Sequence, residues 1–265
     1  MRYQEQLINN LTQALQRRDL LRQMVISKLI EGQKDLMLGY LWWIIEPILM
    51  TFIYWLLFHK IFGRGGPDYH IFILCGLIPF KAVSTSFNQS LTALNGNLTL
   101  LSQLAFPRLF LPISNILVNH AKLLFGFLAI FFAATQYYQT ISFNVFWFVI
   151  PFLLQIVLLC GVAMLFSILG VYFVDLKNIV ELVIKALLFL SPIFFTIDSI
   201  PLKYRDFYLL VNPMAPLIQS YRDIFLNGVS PKPEYLMILL VESLLVFAIG
   251  YLFFYQHERK ILKCL

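Results

Sequence analysis

Apolar residues in this chain come in long unbroken runs, not in the alternation of a half-buried sheet. A helix that crosses a bilayer needs roughly 20 such residues. Six stretches qualify, at about 37–62, 71–91, 109–134, 143–173, 179–197 and 235–256. The fourth is longer than one crossing requires, which predicts tilt or a broken end. The second contains Gly76, Pro79 and Lys81, which predicts a kink. Polar punctuation separates the runs. GRGGPDYH at 63–70 is a turn. TALNGNLTLLSQLAFPR at 92–108 is too polar to span, but Leu98, Leu100, Leu101 and Leu104 suit a short amphipathic helix that Pro107 stops. VDLKN at 174–178 is a short loop. Within 198–232, YRDFYLLV and APLIQSYRDIFL flank Asn212 and Pro213, and each is too short to cross. They predict a re-entrant or interfacial helical hairpin, tolerable at depth only where protein covers it or water reaches it. Residues 1–36 place Leu7, Leu11 and Leu15 on one helical face, with Leu21, Met24, Val25 and Leu29 following at helical spacing. Arg17, Arg18, Arg22, Lys28 and Lys34 supply a polar side toward lipid headgroups. A plain solvated basic tail is the alternative. The expected fold is an all-α integral membrane protein: an amphipathic interface segment (1–36), a six-helix transmembrane domain (37–256) with the hairpin between spans five and six, and a tail (257–265).

Composition agrees with the pattern. Hydrophobic residues make up 60% of the chain and charged ones 13%, against about 45–50% and 25% in soluble domains. The net charge of +6 is therefore read by topology, not as a nucleic-acid footprint. Six spans put both termini on one side. Eleven lysines and arginines fall on that side and five on the other, so the positive-inside rule places both termini in the cytoplasm. The first 36 residues lack the short apolar core of a cleavable leader.

The first span carries an anomaly. Glu46 and Pro47 interrupt LGYLWWIIEPILMTFIYWLLFHKIF, where a carboxylate is costly and a proline removes a backbone bond. Glu46 should face protein or a polar cavity. Glu181 and Lys185 are spaced for an intrahelical pair. Catalytic signatures are missing: the sequence has no GxxxxGK[ST], HExxH or GxSxG. Its four histidines and three cysteines show neither metal spacing nor a disulfide framework. An intramembrane enzyme would have to work through Glu46, Asp175, Glu181 or Glu242, none paired in sequence with a second catalytic group.

Six segments in order resemble the permease subunits of ABC type-2 transporters, in the branch exporting O-antigen, capsule and teichoic-acid polymers. They are LGYLWWIIEP (38–47), LCGLIPF (74–80), AFPRLFLPI (105–113), VYFVDLKNI (171–179), SPIFFTIDSIP (191–201) and NPMAPLIQSYRDIFLNG (212–228). The family carries more basic residues ahead of LGYLW than the EGQKDLM present at 31–37. The resemblance implies a bacterial inner-membrane permease, working as a homodimer with two separate ABC ATPase subunits. ATP and magnesium would sit on the partner, this chain would bind no cofactor or metal, and the cargo would be a lipid-linked glycan. It further implies that 92–108 is a coupling helix, with Leu98, Leu101, Gln103 and Arg108 as contacts and Asp175 and Lys177 as a second contact. The hairpin, with Asn212, Pro213, Pro216, Arg222 and Asp223, would form a periplasmic gate. Tyr40, Trp42, Trp43, Tyr54 and Glu46 are candidate channel residues, since aromatic faces guide a sugar ring through weak contacts. For the aromatics, an interfacial belt remains the competing reading. A drug- or lipid-exporting permease is the alternative within the family.

Overall fold

A computed structural model describes residues 17–32, 34, 38–97, 107–138, 143–173 and 175–264. Regular structure among them is helical. The helices are α1 (Arg18–Glu31), α2 (Trp42–Trp55), α3 (Tyr69–Leu91), α4 (Phe110–Tyr138), α5 (Val149–Tyr172), α6 (Leu176–Leu190), α7 (Leu202–Val211), α8 (Met214–Phe225) and α9 (Pro233–Cys264). A short 3-10 turn opens α2 at Gly39, and a π-helical stretch, Leu56–Ile61, extends it. Among the described residues, five helical segments are long and apolar enough to cross a membrane: Gly39–Ile61, Tyr69–Leu91, Phe110–Gln136, Asn144–Tyr172 and Pro233–Glu258. Each lies within a few residues of a run read from the sequence. The run at 179–197 takes another form, as the 15-residue α6 followed by irregular chain from Ser191.

Packing follows the small residues. In lipid, helices gain little from burying apolar surface against each other, so close approach and polar contacts hold a bundle. Helix α5 lies along α9, where a Cβ on Gly161 would meet the Phe247 backbone at 2.6 Å. Gly170 likewise abuts the Leu91 carbonyl of α3, and Asn95 donates to the Gly170 carbonyl at 3.0 Å. The core lies where α3, α4 and α5 meet α8. Pro79 does not break α3: the helix runs through it, and the Gln155 amide donates to the Pro79 carbonyl at 3.0 Å.

The contacts sort the connections into two ends. At one end, Asn95 meets Gly170, Arg108 meets Glu258 near the end of α9, and α1 rests on the first turns of α4. At the other, the Tyr69 hydroxyl donates to the Phe194 carbonyl at 2.9 Å, and the Asn144 amide to the Gly228 carbonyl at 2.6 Å. The hairpin therefore lies opposite the end that holds α1 and the tail.

Two details depart from the sequence reading. Lys28 does not reach toward headgroups; its ammonium donates to Ser114 Oγ at 2.8 Å and Asn115 Oδ1 at 2.6 Å. Burial against α4 pushes its pKa down, and Glu31 opposes that shift. Two hydrogen bonds to α4 hold the ammonium there although burial disfavours its charge. Glu181 and Lys185 make no ion pair among the described residues. Lys185 is exposed, and an exposed pair gains little beyond the side-chain entropy it costs.

Candidate functional site

Pro47 lies inside α2 without ending it, and one face of the helix's first turns looks toward α3 and α4. Pro47 is buried, and Trp42, Trp43 and Glu46 reach a cavity of about 370 Å³ between α2, α3 and α4. Ile78, Lys81, Ala82 and Thr85 line it from α3, and Asn119, Lys122, Leu123 and Gly126 from α4. Glu46 forms an ion pair with Lys81, and their side chains stay 50% and 41% exposed, so the cavity is open on one side. Lys122 lies 5.7 Å from the centre of the Trp43 ring and makes no ion pair among the described residues. The Asn119 amide donates to Gln89 Oε1 at 3.0 Å and Ser86 Oγ at 3.2 Å. The walls thus combine two indole rings with two cations and one carboxylate.

The aromatic candidates divide between two places. Tyr40 packs edge-on against Trp43 at 4.9 Å, and Trp43 against Phe125 at 5.0 Å. Tyr54 lies three turns further on and contacts Phe194 at 4.9 Å. Tyr54 is therefore remote from the cavity and belongs with the break after α6.

That break is the second polar centre. Chain leaving a helix inside an apolar bundle exposes carbonyls that must find donors. Here side chains supply them. The Leu190 carbonyl accepts from the Tyr208 hydroxyl at 2.7 Å and the Asn212 amide at 3.2 Å. The Ile193 carbonyl accepts from Arg222 at 2.9 Å, and those of Phe195 and Phe72 accept more weakly at 3.4 Å. The Arg222 guanidinium, 2% exposed, also lies 3.3 Å from the centre of the Phe72 ring. Gly76 lets this segment approach, since a Cβ there would meet the Ile193 backbone at 3.1 Å. Pro216 is buried within α8, Pro213 stands at its N-cap, and Asn212 Oδ1 accepts from the Met214 amide at 3.1 Å. Asp223 Oδ1 accepts from Gln219 and Asn227, both at 3.1 Å. The five hairpin candidates are thus brought together around one helix.

The third group is at the opposite end. Arg108 contacts the Glu258 carboxylate at 3.5 Å and donates to its carbonyl at 3.3 Å. Asp175 stands at the N-cap of α6, and both it and Lys177 are exposed. Leu98, Leu101 and Gln103 lie outside the described residues, as do Leu7, Leu11 and Leu15. Sequence reading passed over Lys122, Gln155 and Tyr221. Lys122 had an available signal, a cation deep in an apolar run; the other two had none, because their partners are distant in sequence.

Comparison with known proteins adds what geometry alone does not. The ABC-2 type transporter family matches residues 20–226. The chain belongs to that family. Among its relatives is an O-antigen export system permease protein RfbA of Klebsiella pneumoniae, 32% identical over 82% of this chain and 83% of the relative. A Myxococcus xanthus protein of the same name is 28% identical, covering 87% and 89%. The polysialic acid transport protein KpsM of Escherichia coli is 29% identical, covering 85% and 88%. The family match includes α2 through α8, and so both the cavity and the hairpin. As a multi-pass ABC-2 protein the chain is a transporter subunit, not an enzyme.

Proposed function

We propose that this chain is the permease of an ATP-driven exporter that moves a lipid-linked polysaccharide, of the O-antigen or capsule kind, outward across the bacterial cytoplasmic membrane. The observation that carries this reading is that relatives named for O-antigen and polysialic acid transport align over more than four-fifths of both chains. No phosphate loop occurs in the sequence, so the energy comes from a separate ABC ATPase carrying ATP and magnesium. Two copies of the permease and two ATPase subunits make the working assembly. Each permease crosses six times, with α6 and the chain after it as the short fifth crossing and α7–α8 re-entering from the periplasmic side. The surplus of lysine and arginine at the terminal side supports cytoplasmic termini.

In this assembly Leu98, Leu101, Gln103 and Arg108, with Asp175 and Lys177, meet the ATPase. Asn212, Pro213, Pro216, Arg222 and Asp223 hold the shape of the outer gate. Trp42, Trp43 and Glu46, with Tyr40 beside them, receive cargo at the cytoplasmic half. Tyr54 lies toward the exit.

The test is export in cells. Deleting the gene should leave glycan inside the cell, and a plasmid copy should restore it to the surface. A Leu98→Asp, Leu101→Asp double variant should lose both export and co-purification with the ATPase. Normal surface glycan after deletion would sink the reading.

A further inference from the structure

The cavity between α2, α3 and α4 holds more cation than its architecture needs. Measured along the helices, Glu46 lies roughly 10 Å beyond Gly39, Lys81 roughly 15 Å before Leu91, and Lys122 roughly 18 Å beyond Phe110. All three sit well within membrane-spanning segments. A charge at such depth is costly and ordinarily faces a partner or a water-filled cavity. Glu46 and Lys81 answer each other. Lys122 stands against the flank of Trp43 with no carboxylate within salt-bridge reach among the described residues, and Glu46 acts on it only from farther away. Among the lining residues two ammonium groups thus face one carboxylate.

Structural economy does not explain this surplus. A leucine at 122 would pack against Trp43 without the desolvation that a buried ammonium incurs. The cavity volume falls within the range of small-molecule sites, roughly 300–1,000 Å³. Its other wall is apolar, from Trp42, Trp43 and Leu123. One turn beyond Glu46, Leu49 and Met50 are exposed, so the open side continues into an apolar surface. An anion entering with an apolar tail would meet both kinds of wall.

We propose that this cavity binds a phosphoryl group carried on a lipid, with Lys122 as its fixed cation and Lys81 released to it from Glu46. The indoles of Trp42 and Trp43 receive the first apolar segment of the lipid. The proposal rests on the export reading for the source of such an anion, a lipid-borne glycan presented at the membrane. Glu46 then works as a built-in competitor: it holds Lys81 while the site is empty and yields when a more highly charged group arrives.

The experiment is equilibrium binding of radiolabelled farnesyl diphosphate to the full chain purified with its ATPase in detergent, with farnesol and inorganic pyrophosphate as competitors. Lys122→Gln should weaken binding about tenfold, equivalent to roughly 1.4 kcal/mol. Lys122→Arg should stay within about threefold of wild type, as a charge-assisted contact is kept. Glu46→Gln frees Lys81 and should tighten binding about threefold. Lys232→Gln, on an exposed cation elsewhere, should change nothing. Unchanged binding in Lys122→Gln overturns the proposal. Should that variant fail to fold, unchanged binding in Glu46→Gln overturns it equally. Farnesol competing as well as the diphosphate would make the cavity merely apolar, and pyrophosphate competing as well would remove the lipid; either result overturns it. Binding is read without transport, so a chain that binds the diphosphate but exports nothing keeps the site and loses the export reading.

Discussion

Arg222 and Lys122 are both cations set among apolar helices, and the molecule treats them in opposite ways. Arg222 is 2% exposed, with three carbonyls and an aromatic face around it. Lys122 lines an open cavity beside an ion pair and has no such set of acceptors among the described residues. The contrast separates two uses of a charge within an apolar bundle. A guanidinium has five donors in a fixed fork, and here it ties down the backbone freed where α6 ends. An ammonium left facing a cavity stabilises little by itself and is available to something that arrives. Burial and hydrogen bonding together, not charge alone, tell a structural cation from one that awaits a ligand.

The largest effect is expected at Arg222. Arg222→Met should destabilise the chain by about 3 kcal/mol, because buried carbonyls lose their donors. A thermal melt in detergent would register this as a clear fall in midpoint, and a melt like that of wild type would make the clamp incidental. Gly161→Leu comes next. It drives a side chain into the Phe247 backbone, should cost about 1–3 kcal/mol, and should be relieved only by moving α9 off α5. Tyr221→Phe removes the hydroxyl that donates to Gln155 Oε1 at 3.1 Å. That should cost about 1 kcal/mol in the same melt, and a larger loss would mean that the relay from Tyr221 through Gln155 to Pro79 acts as one unit. Lys122→Gln should shift stability least, within about 0.5 kcal/mol, since among the described residues no hydrogen bond to it holds helices together.

How much of this could be read in the sequence follows from the range of each interaction. Five of the six expected spans were legible to within a few residues because they rest on a local requirement, a run of apolar residues long enough to cross. The hairpin was legible as two short, weakly apolar pieces around Asn212 and Pro213, and the inward face of α2 was signalled by Glu46. Arg222 was visible as a candidate gate residue, but its clamp was not: its acceptors lie 27, 29 and 150 positions away. The seat of Lys28 on α4 was hidden for the same reason, with partners 86 and 87 positions away. The shortness of α6 was also hidden, because its apolar run continues past Ser191 while the carbonyls beyond it are taken by side chains. The cavity depends on three helices meeting, so nothing local to Lys122 in the sequence placed it beside Glu46 and Lys81.

Under the proposed function, buried Arg222 keeps the fold and half-buried Lys122 serves the cargo. The most direct measurement is surface glycan per molecule of folded permease, in cells carrying Lys122→Gln or Arg222→Met. Lys122→Gln should accumulate in the membrane and melt like wild type but display about tenfold less glycan, while Arg222→Met should lose folded protein and glycan in proportion. Full export by folded Lys122→Gln, or a stable Arg222→Met, would contradict this assignment.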